Sequence, residues 1–393
     1  MDARRERGPP KAILIAPSED QEFFRQTTER FLVEHAPPDE LRRLRDDAAG
    51  FDRAFWRRGA ELGWTSLLVD EAHGGGTISG AGLVDLSLVA YEFGHHAAPG
   101  PLHATNVVAG ALSEHGAPGL QAEVVGGLVS GDAVGAWCAP TPGARPGSWH
   151  TGVEVESDGE GLVVRGAARP VEHAGQADHF LVTARDGAGI TQVLVPATSD
   201  GVSVAALHSV DLTRRFGAVT FDGVRVGPDA VVGARGEASA TVERQLRFAL
   251  QLLNAEAVGC MQSAFDMTVE WGFDRYTFGR PLASYQALKH RYADMMSWLE
   301  AGHAISDAAC AAAQADAPNA DVLTSAAKAF IGQYGTELIQ DCVQLHGGIG
   351  VTFEHDLHLF LRRMTVNRST AGTPAQHLRR IAALLARREG VAA

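Results

Sequence analysis

Three blocks of different character follow one another along the chain, and this order restricts the folds open to it. From about residue 134 to residue 233, short β-rich runs are separated by turn dipeptides such as Asp158-Gly159 and Asp186-Gly187. The block before it shows apolar residues at helical spacing. Beyond Glu237, glycine becomes sparse up to Gly332, and Ala, Leu, Glu and Gln dominate, which favours long packed helices. The sequence therefore predicts an α+β protein in which a small antiparallel β domain lies between two helical domains.

These patterns predict four segments along the chain. They are a flexible tail over residues 1–16, an N-terminal helical domain over 17–132, a central β domain over 133–236 and a C-terminal helical bundle over 237–389. Ser18 and Gln21 have the spacing of a capping box, so we expect the first helix to start there. A further Asp222-Gly223 predicts one more turn between strands.

The bulk composition excludes several classes of partner. A chain of 393 residues with 45% hydrophobic residues is long enough for a sizeable core. Its net charge of −13 argues against nucleic acid, which is bound through clustered Lys and Arg. No run approaches the 18 or so apolar residues of a membrane span, and the first residues lack the apolar region of a signal peptide. We therefore expect a cytoplasmic protein that binds neither membrane nor nucleic acid.

Two motifs in the third block carry a family resemblance. The first is RYTFGRPL at residues 275–282, followed by QALKH at 286–290, and the second is QLHGGIG at 344–350. Together they resemble the signature segments of the acyl-CoA dehydrogenases, flavoenzymes that desaturate acyl-CoA thioesters between the α and β carbons. The resemblance extends over nearly the whole chain. It implies a C-terminal four-helix bundle, an FAD cofactor, an acyl-CoA substrate and a tetrameric assembly.

The resemblance also assigns residues to the cofactor. Arg275 corresponds to an arginine that contacts the diphosphate, and a guanidinium suits that role because it binds phosphate oxygens bidentately. With Phe278 it is implied to reach across a subunit interface to the FAD of a neighbour. Gln344, Gly347 and Gly348 resemble residues that meet the adenosine half, where glycine permits close backbone approach. Thr373 matches a threonine of a later cofactor-contacting run.

The same comparison places Ala371 where the family has its catalytic glutamate. That glutamate removes the α proton of the thioester while hydride leaves the β carbon for the flavin. A methyl group cannot accept a proton. The flavin-ring loops also depart from the family, because Pro140 offers neither a hydroxyl nor an N–H, and Pro170–Gly175 replaces a Trp-Ile-Thr-Asn-Gly-Gly run.

Other residues of the chain are possible substitutes for a base at position 371 or possible metal ligands. Some relatives place the base on the helix before Arg275, but the aligned position is Leu250, and Glu256 is the nearest acid on that helix. Helix glutamates are more often ion-pair partners than bases, so Glu256 is only a weak candidate for the catalytic base. His95, His96, His103, His355 and His358 do not form a ligand set of the usual spacing, and the four cysteines are far apart. We expect no metal.

The chain thus resembles the subunit of actinobacterial heterotetrameric acyl-CoA dehydrogenases that lacks the base, a group that includes enzymes of steroid side-chain breakdown. Runs at 211–216 and 354–363 support this kinship. The implied partner is a homologous subunit that carries the catalytic base. Two alternatives stay open: a complete homotetrameric enzyme with a relocated base, and a tailoring enzyme that reuses the fold for different chemistry.

Overall fold

The N-terminal part of the chain is helical, as predicted. A computed structural model describes residues 17–142, 147–159 and 161–388. The first helix begins where expected: the Ser18 side chain accepts from the backbone N–H of Gln21, and the Gln21 side chain accepts from the backbone N–H of Ser18. The helices of this part are α1 (Glu19–His35), α2 (Pro38–Arg43), α3 (Arg53–Glu61), α4 (Gly82–His95), α5 (Leu102–His115), α6 (Pro118–Leu120) and α7 (Gly126–Val129).

The middle of the chain forms a mostly antiparallel sheet of eight strands. Its order is β10-β7-β6-β4-β5-β9-β8, and β1 adds to β6 in parallel. Within the described residues, two further strands, β2 and β3, pair only with each other. The strands are β1 (Gly135–Cys138), β2 (Thr141–Pro142), β3 (Trp149–His150), β4 (Val153–Asp158), β5 (Gly161–Glu172), β6 (His179–Asp186), β7 (Gly189–Pro196), β8 (Val202–Leu207), β9 (Phe216–Val226) and β10 (Val231–Val232).

The structure contains the turns predicted at Asp158-Gly159 and Asp186-Gly187 but not the turn predicted at Asp222-Gly223. Asp158-Gly159 joins β4 to β5, and Asp186 begins the turn that joins β6 to β7. Asp222-Gly223 does not turn the chain, because β9 runs through it without interruption. Gly223 is instead an extra residue in the pairing with β5, where the register shifts between Val164 and Arg165. Its φ of 68° lies in the left-handed region that glycine adopts at β-bulges, so the dipeptide was correctly seen as special and wrongly interpreted as a hairpin turn.

The C-terminal part contains five helices in the described range, where a four-helix bundle was expected. Three are long and two are short, because Thr370–Thr373 divides the last stretch in two and Pro374 starts the final helix. A small hairpin of β11 and β12 follows the first of them. The elements are α8 (Ser239–Asp274), β11 (Tyr276–Thr277), β12 (Arg280–Pro281), α9 (Gln286–Gln314), α10 (Ala320–His346), α11 (Leu357–Ser369) and α12 (Pro374–Arg388).

Helix α8 is the element that organises the molecule. Its 36 residues contact α4 and α5 of the N-terminal part and α9, α10 and α11 of the C-terminal part. Eight of its residues between Leu252 and Phe265 belong to one apolar core that also holds Trp56 and Trp64. Among the helices of the described residues, none combines the length and the apolar composition that a bilayer-spanning segment needs.

Candidate functional site

The two signature motifs meet at the C-terminal end of α8. The indole ring of Trp271 stacks on the imidazole of His346, with centroids 5.3 Å apart. The guanidinium of Arg275 lies 5.8 Å from the centroid of the Trp271 ring. Trp271, which the sequence comparison did not single out, therefore links Arg275 to the 344–350 segment. Arg275 forms no ion pair with a described residue, so its charge is available to an external anion.

The hairpin that follows Arg275 projects from the surface. Phe278 lies at its tip with 99% of its surface exposed and a φ of 50°. The Tyr285 hydroxyl donates to the Thr277 carbonyl oxygen at 2.8 Å and holds the base of the hairpin. Neighbouring apolar residues Phe273 and Tyr276 are also exposed. A phenylalanine so fully exposed, among other apolar side chains, indicates a surface that another molecule covers.

The backbone after α10 leaves space for close approach. Gly347 has φ 67° and ψ −139°, a conformation that side chains exclude. A Cβ atom placed on Gly347 or Gly348 would meet nothing within 4 Å in this chain. Gln344 is exposed on the same segment. An unpaired arginine, an exposed amide and an open glycine backbone fit the diphosphate and adenosine half of a dinucleotide.

Ala371 lies at a second site, beside a cavity of about 220 Å³. The residue has a φ of 56° and packs partly against the core that contains Leu250 of α8. The structure thus brings the loop that holds Ala371 together with β2, which leads into the segment expected to border the flavin ring. Residues 143–146 of that segment lie outside the described residues. The cavity is lined by Thr141, Pro142, Ala371, Gly372, Gln376, His377, Arg379 and Arg380.

His377 is a titratable group in direct contact with Ala371. Its Nε2 lies 3.0 Å from the Ala371 carbonyl oxygen, which can only accept, so Nε2 carries the proton. Its Nδ1 is buried and has no described partner. Burial, aided by the charge of Lys328, lowers the pKa of His377 to about 4. The sequence motifs did not single out His377, which lies six residues beyond Ala371 on the next helix.

Thr373 stabilises the start of helix α12. Its hydroxyl and its backbone N–H both donate to Gln376 Oε1, at 2.9 and 2.8 Å. These contacts hold the first turn of α12, as a capping residue does. Arg380 on the same helix pairs with Glu243 of α8, which ties the wall of the cavity to the first turns of that helix.

Glu256 is at the centre of a buried charge network. It is 2% exposed, and it accepts from Arg363 at 2.6 Å, from Arg214 at 3.1 Å and from the side-chain amide of Asn367 at 2.7 Å. Burial alone would raise its pKa, but the two guanidiniums outweigh burial and lower the pKa to about 2. A carboxylate with so low a pKa, whose two oxygens already accept three hydrogen bonds, is a weak base at neutral pH.

The network joins the three parts of the chain. Arg363 of α11 also donates to Asp211 at 2.5 Å and to the carbonyl oxygens of Ala97 and Ala98. Arg214 also donates to Glu172 of β5 at 2.6 Å. In the sequence, the runs at 211–216 and 354–363 are only signs of family resemblance. In the structure they are hydrogen-bonded to each other. Glu172 lies in a segment expected to border the flavin ring, but its carboxylate accepts from Arg214 of this network.

The two sites of this chain are far apart. Arg380, which lines the cavity beside Ala371, pairs with Glu243 near the start of α8, whereas the Arg275 site begins at Trp271 near the end of that helix. Glu243 and Trp271 are 28 residues apart on this continuous α-helix, which at 1.5 Å per residue amounts to about 42 Å. The ring and the diphosphate of one FAD are joined by a short ribityl chain, which cannot span that distance.

One group of side chains among the described residues has metal-like spacing. Ligand atoms of Glu92, His95 and His96 lie within 4.8 Å of one another. The guanidinium of Arg25 donates to Glu92 Oε1 at 2.5 Å. A guanidinium on the same carboxylate opposes binding of a dication, so this group adds nothing to the candidate site.

Comparison with known proteins gives a consistent result. Residues 18–132 match the acyl-CoA dehydrogenase N-terminal domain, and residues 240–386 match the acyl-CoA dehydrogenase C-terminal domain. Over 376 residues the chain is 28% identical to the acyl-CoA dehydrogenase IpdE2 of Mycobacterium tuberculosis, and the match covers 93% of this chain and 98% of that protein.

Two solved structures resemble the chain along almost its full length. The ChsE4-ChsE5 complex from Mycobacterium tuberculosis has a TM-score of 0.84 at 26% identity, covering 94% of this chain and 98% of the other. A Tcur3481-Tcur3483 steroid ACAD variant has a TM-score of 0.84 at 27% identity, covering 95% and 99%. Both similarities confirm the predicted fold class.

Proposed function

Since the chain belongs to the acyl-CoA dehydrogenase family of flavin oxidoreductases, we propose that it is the base-less subunit of a heterotetrameric, FAD-dependent acyl-CoA dehydrogenase. In this assembly, Arg275, Phe278, Gln344, Gly347 and Gly348 complete the FAD site of a homologous partner subunit. The observation that carries the proposal is the separation of the Arg275 site from Ala371 along α8.

The separation supports a cofactor shared between subunits. The Arg275 site offers a cation, an exposed ring and an open backbone, all facing away from the chain. A dinucleotide bound there cannot place its ring beside Ala371 of the same chain. A second subunit must therefore supply the ring site for that FAD. The exposed apolar tip at Phe278 is the part of this chain that such a subunit would cover.

The missing base supports a division of labour between subunits. Bound FAD accepts the hydride that leaves the β carbon, but a carboxylate must first be placed to take the α proton. Ala371 cannot do this, and Glu256 is held by Arg214 and Arg363. The residues of this chain bind and orient the cofactor, while proton removal falls to the partner.

The comparisons favour a heteromer and suggest a class of substrate. The ChsE4-ChsE5 structure is a complex of two different chains, and Tcur3481-Tcur3483 is named a steroid ACAD. We therefore propose acyl-CoA thioesters with a steroid or a similarly bulky acyl group as the first substrates to test. The acyl group is bound by the partner, in which the complete ring site lies.

Replacing Arg275 with Ala should weaken FAD binding by the complex. The change removes a charge-assisted contact to the diphosphate, which is worth about 1.5–3 kcal/mol and corresponds to roughly ten- to hundredfold in affinity. The measurement is the FAD dissociation constant of the co-purified heteromer. Arg225→Ala, another exposed arginine, is the matched control and should leave it unchanged. Unchanged FAD affinity in the Arg275→Ala complex would contradict the proposed contact between Arg275 and the FAD of the partner subunit.

Restoring a carboxylate at residue 371 should not create an active subunit. Ala371 already carries a Cβ at its φ of 56°, so Ala371→Glu adds no new backbone strain. Contacts to the flavin ring are still missing at Pro140 and in the segment around Glu172, and lost preorganised contacts cost about 10²–10³ in rate. We expect Ala371→Glu, assayed alone, to stay at least about 10²-fold below the complex. Turnover at an ordinary enzymatic rate of about 1–10³ s⁻¹ would show that the ring site is intact.

A complete homotetrameric enzyme is the second candidate, and one observation favours it. The buried Nδ1 of His377 is an unpaired acceptor close to the position of the missing glutamate. Its weakness as a base is that the imidazolium would be buried near Lys328, which disfavours the charged form. If the isolated chain does turn over, His377→Asn and Glu256→Gln will distinguish the two possible bases.

A further inference from the structure

A cleft separate from both of the sites described above lies where α1, α4, α8 and α9 meet. Its volume is about 390 Å³, and small-molecule pockets span about 300–1,000 Å³. None of the described residues that line it also lines the cavity beside Ala371 or belongs to the Arg275 site. Apolar side chains of α4 and α8 make up one wall, and these are Val84, Leu88, Ala255 and Val258. A concave site with such a wall suits a largely apolar small molecule.

One buried amide in the lining lacks a hydrogen-bond partner for its oxygen. Gln251 of α8 is 1% exposed, and its Nε2 lies 3.4 Å from both Ser87 Oγ and Ser306 Oγ, which also line the cleft. The Ser87 hydroxyl donates to the Leu83 carbonyl oxygen at 2.7 Å, so it can only accept from Gln251, and the amide nitrogen must face the serines. Gln251 Oε1 is buried and accepts from no described residue. Because buried acceptors are nearly always hydrogen-bonded, this atom indicates a donor on a molecule bound in the cleft.

Charged residues of the lining are engaged with one another or with a neighbouring amide. Arg25 pairs with Glu22 at 3.0 Å and with Glu92 at 2.5 Å. The Gln262 side-chain amide donates to both oxygens of Asp266, at 2.9 and 3.0 Å. An ion that entered the cleft would lose its hydration and would have to compete with these existing contacts. The lining therefore favours a neutral molecule over an anion or a cation.

Three rings of the lining form a second wall. Tyr91 stacks on His95, with centroids 5.9 Å apart, and its ring centroid lies 5.8 Å from that of His303. Burial lowers the pKa of His303 to about 4 and lowers that of His95 below its ordinary value of 6.5. Both imidazoles are therefore uncharged at pH 7, and an uncharged molecule can pack against all three rings.

We propose that this cleft binds a neutral, largely apolar small molecule whose hydroxyl group donates to Gln251 Oε1. The apolar body of the molecule lies between the wall that contains Leu88 and Val258 and the wall formed by the three rings. FAD and acyl-CoA thioesters carry phosphates, so neither fits this description, and the cleft is distinct from the sites of the proposed reaction. A molecule bound here contacts α4 of the N-terminal part and α8 and α9 of the C-terminal part.

Equilibrium dialysis of the full chain against a set of decyl compounds tests this proposal. The compounds share the hydrocarbon chain and differ in the head group, and they are decan-1-ol, its methyl ether, decanoate and decylammonium. Decan-1-ol should bind at least about fivefold more tightly than the methyl ether, which cannot donate, because the ether loses one neutral hydrogen bond. Decan-1-ol should also bind at least about tenfold more tightly than either ion, because an ion would be desolvated without gaining an unpaired counter-charge.

Two variants locate the binding. Gln251→Leu should remove the preference for the alcohol over its methyl ether, because the acceptor is no longer there. Leu88→Trp should weaken binding of decan-1-ol at least about tenfold, because the larger side chain takes up space in the cleft. Leu385→Trp, at an exposed leucine of α12, is the matched control and should leave binding of decan-1-ol unchanged.

The comparison of head groups on the unaltered chain needs no variant and can overturn the proposal by itself. It does so if decan-1-ol does not bind saturably, if the alcohol and its methyl ether bind equally, or if either ion binds more tightly than the alcohol. Unchanged binding of decan-1-ol to folded Leu88→Trp would contradict the location. An alcohol preference that persists in folded Gln251→Leu would contradict the contact with Oε1.

Discussion

The isolated chain should oxidise acyl-CoA substrates at least about 10²-fold more slowly than its complex with a base-bearing homologue. A positioned base contributes about 10²–10⁴ in rate, and in the proposed assembly the partner subunit, not this chain with its Ala371, supplies that base. The assay is reduction of an artificial electron acceptor by the separately purified chain and by the co-expressed complex, with the same acyl-CoA and with added FAD.

The variants Glu256→Gln and His377→Asn decide what an unexpected activity would mean. If the isolated chain turns over as fast as the complex and His377→Asn abolishes this, the base is the imidazole beside Ala371. If only Glu256→Gln abolishes it, and the variant stays folded, then the carboxylate in the buried network is the base. Either result contradicts the base-less assignment, whereas equal inactivity of all three chains supports it.

Glu256→Gln should destabilise the chain by about 3–5 kcal/mol, because breaking a buried ion pair leaves uncompensated charge. Both Arg214 and Arg363 would lose a charged partner, and each is almost fully buried. The measurement is urea unfolding followed by tryptophan fluorescence. Glu114→Gln is the matched control, since Glu114 and Arg244 pair on the surface, where an ion pair contributes about 0–1 kcal/mol. Equal stability of the two variants would show that the network contributes no more than a surface pair.

The same network predicts a loss of stability in acid. The pKa of Glu256 is about 2 in the folded chain, below its ordinary value of 4.5. A carboxylate whose pKa is lower in the folded chain than in the unfolded chain contributes its full stabilisation when the pH is above the unfolded-state pKa. That stabilisation is lost as the pH falls toward the folded-state pKa. The wild-type chain should therefore lose stability between about pH 4.5 and 2, and Glu256→Gln should lose less over the same interval. A stability difference between the two chains that is constant across this interval would contradict the assigned pKa.

Local features were predictable from the sequence because their causes are local. The capping box at Ser18 and Gln21 and the hairpin at Asp158-Gly159 each depend on residues a few positions apart. The bulge at Gly223 was not predictable, since the same dipeptide serves a turn or a bulge and only the pairing with β5 distinguishes them. The family was evident from two motifs, but the stacking of Trp271 that joins them was not.

The buried network was hidden from the sequence for a different reason. Glu256 is 42 residues from Arg214 and 107 residues from Arg363, and no periodic pattern reports contacts at such separations. The sequence located Ala371 through a motif, yet it could not show that His377 borders the same cavity. The signal available in the sequence for this network was the set of charged residues in the runs at 211–216 and 354–363. Because charged side chains are rarely buried without a partner, such residues point to ion pairs elsewhere in the fold.

The ratio of bound flavin to protein chains, in the isolated chain and in the co-purified complex, tests the central claim most directly. Visible absorbance gives the flavin, and native mass spectrometry gives the mass and composition of the assembly. A base-less subunit that completes a partner's site predicts little flavin on the isolated chain and a yellow heterotetramer with fewer flavins than chains. One flavin per chain on the isolated protein, with turnover of an acyl-CoA, would contradict it.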